Sequence, residues 1–178
     1  MSRIATPAVE SATGPTAQIY AQIKQAIGKV PNTYAAIGAL SPAALQSMLQ
    51  ADAVLARSSL SRQEQETIKL VVSELSGCDY CLAAHTQIAK TTGLSAAVMK
   101  QIRAGEPSGD TKRDALVRLV GNLAKTSGTI GAQDFAAIKA AGYTDQQLVD
   151  ISLAIAVITF TNTFNRINDT ELDFPAAG

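Results

Sequence analysis

Cys78, Cys81 and His85 stand within one short stretch of this chain, and they are both of its cysteines and its single histidine. Two thiols separated by two residues can cycle between dithiol and disulfide, because helix positions three apart share a face with Cβ atoms about 5–6 Å apart. Gly77 comes immediately before the pair. If a helix starts there, its unpaired N–H groups and dipole favour a thiolate. His85 lies one turn beyond Cys81 on the same face, within reach directly or through one water, whereas Leu82 occupies the position closest to one turn beyond Cys78. On position alone Cys81 is therefore the nucleophile and Cys78 the resolving thiol.

A relay needs a third member to orient the imidazole. Glu66 precedes Cys78 by twelve residues. If the helices on either side of Gly77 fold back as a hairpin, Glu66 and His85 differ by only three residues of register, about 4.5 Å of rise. Tyr80, between the cysteines, packs over the pair, lends it a hydrogen bond, or is an ordinary half-buried tyrosine. The same Cys78, Cys81, His85 and Glu66 could hold zinc, but the chain has no second cluster to close a structural site. No metal or other cofactor is expected. Leu82 after Cys81 rules out c-type haem attachment.

The elements that must position these residues read as helices throughout. Ile19, Ile23, Ile27 and Val30 form a stripe ended by Pro31. Ser41 and Pro42 open a helix to about Arg57. Ser61 and Glu64 form a capping box for a helix whose Ile68, Val71, Val72 and Leu75 share a face. After Gly77 a helix runs to about Gly93, then Ser95 to Ala104, then one from Asp110 or Thr111, and a short one from Asp134 to Ala141. Thr144 and Gln147 cap the last long helix, to about Asn168. Both capping boxes precede similar apolar runs, so the bundle can be read as two degenerate helical repeats, with Cys78 and Cys81 falling on Thr161 and Phe164. The expectation is an all-α fold in one domain over residues 15–178, after a flexible arm over 1–14.

Lys plus Arg and Asp plus Glu number 15 each, which supports neither nucleic-acid nor membrane-surface binding. The longest uncharged apolar run, Ile151 to Phe160, is shorter than the ~20 residues of a membrane span. No secretory signal, P-loop or dinucleotide fingerprint is present, and a soluble cytoplasmic protein is expected. A charged fraction of 17% points to surface covered in a homo-oligomer.

The spaced set Glu66, Cys78, Tyr80, Cys81 and His85 resembles the alkylhydroperoxidase D (AhpD) family, in the peroxidase-related branch of the carboxymuconolactone decarboxylase-like superfamily. Val30-Pro31-Asn32, Leu40-Ser41-Pro42, Leu60-Ser61-Arg62 and the closing Asn165-Arg166 and Glu171-Leu172-Asp173-Phe174 extend the likeness over about residues 28 to 174. It implies an AhpD-like helical bundle forming trimers or hexamers, and reduction of a small-molecule hydroperoxide. By resemblance Cys81 attacks peroxide, Cys78 condenses with the sulfenic acid, and Glu66 and His85 relay the proton. A thiol or lipoyl reductant would recycle the pair. The motif stands in the first half of this chain, earlier than in archetypal AhpD proteins, so no particular reductant is implied. Decarboxylases of the superfamily lack the cysteine pair. A disulfide-exchange or redox-sensing role uses the same motif and stays open.

Overall fold

Two capping boxes anchor the helices on which the site is built. In the computed structural model, which describes residues 2–178, the Ser61 hydroxyl accepts the Glu64 N–H and the Glu64 carboxylate accepts the Ser61 N–H. Thr144 and Gln147 do the same at the last helix. Nine helices follow in order: α1 Gly14–Ile27, α2 Asn32–Leu40, α3 Pro42–Leu55, α4 Arg62–Ser76, α5 Asp79–Thr91, α6 Ala96–Ala104, α7 Thr111–Lys125, α8 Ala132–Ala140 and α9 Asp145–Asn168. Among the described residues there is no strand, so the all-α reading holds.

α4 is the central helix, packed against α5, α7 and α9. Its Ile68 and Leu70 are fully buried, with Leu116 and Val120 of α7 and Ile151 and Ile158 of α9 in the same cluster. A smaller cluster, Ile19, Tyr20, Ile23, Ile37, Leu45 and Met48, joins α1, α2 and α3. α4 ends at Gly77, whose φ of 66° lies in the left-handed region that glycine adopts without a Cβ penalty. The reversal makes α4 and α5 an antiparallel hairpin, in which Gln63 near the start of α4 donates to the Thr92 carbonyl at the end of α5.

Several expectations needed revision. The stripe through Val30 overran its helix, because Gly28 closes α1 with φ of 82°. A separate helix, α2, stands where no element was expected; its start at Pro31 has no side-chain cap, so the usual signal is missing. Leu75 is 39% exposed and does not join the α4 core face. The two presumed repeats diverge where α4 stops: α9 runs on unbroken past Thr161 and Phe164 to Asn168. Within the segment expected as a flexible arm over 1–14, the Arg3 and Ile4 N–H groups donate to the Asn168 carbonyl and side chain at the end of α9. Met1 lies outside the described residues.

α9 is long and apolar enough, by length and composition alone, to cross a membrane. In the structure it packs on α3, α4 and α5 and buries Asn162, Asn165 and Asn168 among protein groups.

The tightest backbone approach is at Gly38 in α2. A Cβ there would lie 2.6 Å from Tyr20 Cε1 and 2.8 Å from Leu45 Cδ2. Gly38→Ala is expected to lower unfolding free energy by about 1–3 kcal/mol, an overpacking penalty larger than alanine's gain in helix propensity. A urea midpoint equal to or above the wild type's would show that Tyr20 yields freely.

Candidate active site

The turn at Gly77 places Cys78 as the N-cap of α5, where its Sγ accepts the Cys81 N–H at 3.4 Å. Both cysteines are free thiols and both are buried. Cys81, one turn into α5, lines a cavity of about 760 Å³ together with Glu66, Lys69, Tyr34, His85 and Asn165. Cys78 sits behind it, off the wall. The pair thus has an outer sulfur that a small molecule can reach and an inner sulfur beside it.

Across the hairpin, His85 Nδ1 meets Glu66 Oε2 at 2.8 Å. Glu66 is 4% exposed, and a carboxylate buried so deeply needs compensation. Burial pushes its pKa up, but His85 and then Lys69, at 3.4 Å from Oε1, hold it below the ordinary carboxylate range. Glu66 is therefore the acceptor and Nδ1 the donor. The other ring nitrogen, Nε2, is left as the basic one. Lys69 also lies 3.9 Å from Asp52 of α3, whose pKa burial raises.

Direct contact between His85 and Cys81 is not formed: the imidazole is held by Glu66, and Cys81 Sγ instead accepts the Asn165 amide at 3.2 Å. Both residues face the same cavity. The hydrogen bond from Cys81 holds the Cys78 thiol below its ordinary value, although burial opposes it. The same bond, and burial next, pushes Cys81 up. One negative charge on the pair is stabilised by the hydrogen bond between the two sulfurs, and a second is opposed by burial and by the first. Sequence position alone assigned that charge to Cys81. The helix start favours Cys78, and the cavity favours Cys81.

Tyr80 is buried in the same cluster as both cysteines. Its hydroxyl donates to Asp173 Oδ1 at 2.7 Å and accepts the Thr33 N–H, while Phe174 meets its ring edge-on at 5.8 Å. Lys29 pairs with Asp173 at 2.8 Å and lies over the Phe174 ring, so Tyr80 anchors the segment after α9 as one wall of the cavity. Among the described residues no three His, Cys, Asp or Glu side chains converge as metal ligands. The spacing argument placed Glu66, His85, Cys78 and Cys81 together, as they are. It missed Lys69, legible as the residue three after Glu66 on the same face. It also missed Tyr34, Asp52 and Asn165, which other helices deliver without a local signal.

Known proteins agree with this architecture. The carboxymuconolactone decarboxylase family model matches residues 39–106, the segment from the end of α2 through α6. An uncharacterized peroxidase-related protein with an AhpD core from Ralstonia eutropha JMP134 superimposes with a TM-score of 0.84 at 21% identity, covering 97% of this chain and 92% of its own. A peroxidase-related protein from Silicibacter sp. TM1040 gives 0.84 at 20% identity, covering 99% and 94%. The debrominase Bmp8, as a cysteine-to-alanine variant in complex with 2,3,4-tribromopyrrole, gives 0.81 at 16% identity, covering 97% and 94%. No curated protein matches the sequence.

The Glu66 shift sets an acid dependence. Its folded pKa is below the unfolded value of about 4.3, so its contribution to stability is complete above that value and is lost as pH falls through the folded one. Between about pH 5 and 3 the wild type's urea midpoint should therefore fall more steeply than that of Glu66→Gln. Parallel profiles would mean that the buried carboxylate is no better stabilised than in the unfolded chain.

Proposed function

We propose that this AhpD-like member of the carboxymuconolactone decarboxylase superfamily is a thiol peroxidase, reducing organic hydroperoxides through Cys81 and Cys78. The observation that carries the reading is the Glu66–His85 pair, joined at 2.8 Å on the wall of the cavity that Cys81 also lines. Buried charge compensation of that kind is costly to build for packing alone.

The chemistry balances with these groups. The Cys81 thiolate attacks one peroxide oxygen; an S–O bond forms and the O–O bond breaks. The leaving alkoxide takes a proton to give the alcohol, and His85, oriented by Glu66, is the group placed to handle it. Cys78 then attacks the Cys81 sulfenic acid, an S–S bond forms, and hydroxide leaves as water. Two electrons pass from the thiol pair to the peroxide. An external thiol or lipoyl-type dithiol must return them by exchange with the disulfide.

The cavity favours this over general protein disulfide exchange. Cys78 and Cys81 are only 2% and 3% exposed, so a folded partner's disulfide has no line of approach, whereas a slender dithiol or a small hydroperoxide does. The likeness to Bmp8 shows the fold at work in a debrominase, which makes a brominated pyrrole a necessary comparison substrate. A reducing compartment such as the cytoplasm suits a pair of free thiols. For assembly we take the apolar groove between α3 and α9, lined by Ala44, Met48, Val157 and Phe160, as a contact between copies in a homo-oligomer, trimer or hexamer.

Cys81→Ser should reduce hydroperoxide consumption to background, whereas Cys78→Ser should still accept one equivalent and stop at the sulfenic acid, trapped by dimedone. His85→Ala should slow oxidation of the pair by about 10²–10⁴-fold at neutral pH, the range for one acid–base group. Stopped-flow oxidation with a panel of organic hydroperoxides, with a lipoamide disulfide and a brominated pyrrole beside it, decides the matter. Preference for either of the last two would overturn the peroxidase reading. Light scattering should give a multiple of the chain mass that Phe160→Lys lowers; a wild-type monomer would remove the proposed contact.

A further inference from the structure

Both sulfurs receive hydrogen-bond donors, and the Asn165 amide lowers the pKa of each, standing within hydrogen-bond distance of Cys81. Cys78 Sγ receives the Cys81 N–H at 3.4 Å, which any α5 starting at this residue would supply. Cys81 Sγ receives Asn165 Nδ2 at 3.2 Å, and that donor comes from α9, far away in the sequence. Thr161, one turn earlier on α9, bonds the Ile158 carbonyl and also lowers Cys81, less than Asn165 does. Asn165 is 3% exposed and its amide is oriented: Oδ1 accepts the Thr33 hydroxyl at 2.7 Å, which turns Nδ2 toward the sulfur. Thr33 in turn gives its N–H to Tyr80, which donates to Asp173. A thiol can face either end of an amide, but a thiolate can accept only from the N–H end. The clamp on Oδ1 therefore holds the orientation that a charged Cys81 requires.

We propose that Asn165, aimed by Thr33, is a catalytic residue that draws the shared negative charge of the cysteine pair onto Cys81, the sulfur facing the cavity. This rests on the peroxidase reading and adds to it. His85 and Glu66 handle the proton, while Asn165 selects the sulfur that attacks. The bond from Cys81 and the helix start favour charge on Cys78, which does not line the cavity, and the Asn165 N–H works against that bias at the sulfur of the residue that does. The same N–H remains within bonding distance of the developing sulfenate, so the assistance persists as charge moves from sulfur to oxygen.

The test separates the two sulfurs. Thiolate absorbance is titrated in the Cys78→Ser and Cys81→Ser proteins, each with and without Asn165→Leu. In the Cys78→Ser background, Asn165→Leu should raise the Cys81 midpoint by about one unit or more, a tenfold loss in ionisation. In the Cys81→Ser background the same change should move Cys78 less. With both cysteines present, Asn165→Leu should slow single-turnover oxidation by tert-butyl hydroperoxide about 10- to 100-fold, with partial recovery at high pH. Thr33→Val keeps the amide but frees its orientation, and should give a smaller shift of the same sign. It decides the question alone if Asn165→Leu does not fold by circular dichroism.

An unchanged Cys81 midpoint in the folded variants, or an equal shift at Cys78, would overturn the assignment. If instead the midpoints shift as expected while the wild type ignores every hydroperoxide, the peroxidase reading fails and the role of Asn165 in sulfur ionisation stands.

Discussion

A carboxylate with 4% of its surface exposed cannot stay ionised unless something inside the protein replaces its water, and Glu66 is that carboxylate. His85 at 2.8 Å and Lys69 at 3.4 Å are the replacement. The requirement reaches well beyond the site. It fixes the register between α4 and α5, since a slip of one residue in the hairpin would turn Glu66 or His85 away from its partner. It explains why α4 is the best-covered helix of the bundle, with α5, α7 and α9 around it. It also explains the reversal at Gly77, because the two helices can pair back to back only if the chain turns within one residue of the helix end.

The cysteine pair is a product of the same turn. Gly77 closes α4 in the left-handed region, and the next residue must cap α5, so Cys78 does so with its sulfur. Ser, Thr, Asp or Asn would cap better, which suggests that the sulfur is retained for reactivity. What the turn cannot do is distinguish the two thiols usefully. A helix start favours charge at its very first residue, and here that residue does not line the cavity. The distinction comes from outside the hairpin, through the cavity that reaches Cys81 and through the amide that α9 brings to it.

The far wall of the cavity has its own logic. Tyr80 belongs to the cysteine motif by position, but its hydroxyl ties the chain after α9 to α2 through Asp173 and Thr33. Phe174 stacks its edge against Tyr80 while Lys29 lies 4.1 Å from the Phe174 ring centroid. A residue adjacent to the reactive pair thus shapes the space above it. Solved structures of this architecture include peroxidase-related proteins and a debrominase, so function has to be read from the site and not from the fold.

Local physics carried much of this protein in its sequence. Capping boxes at Ser61 and Thr144, the proline after Ser41 and the glycines at 77 and 105 are short-range signals, and the helices they delimit formed where expected. The cysteine spacing and the hairpin offset brought Glu66 to His85, because both depend only on helical rise and one turn. α2 escaped notice because its start has no side-chain cap to read. Asn165, Thr33, Tyr34 and Asp52 escaped for a different reason: each reaches the site from a helix outside the hairpin, and packing between helices leaves no periodic mark in the chain. The amino-acid order by itself determined which residues could react; only the tertiary structure decided which sulfur meets the cavity, since burial and orientation are properties of the assembled helices.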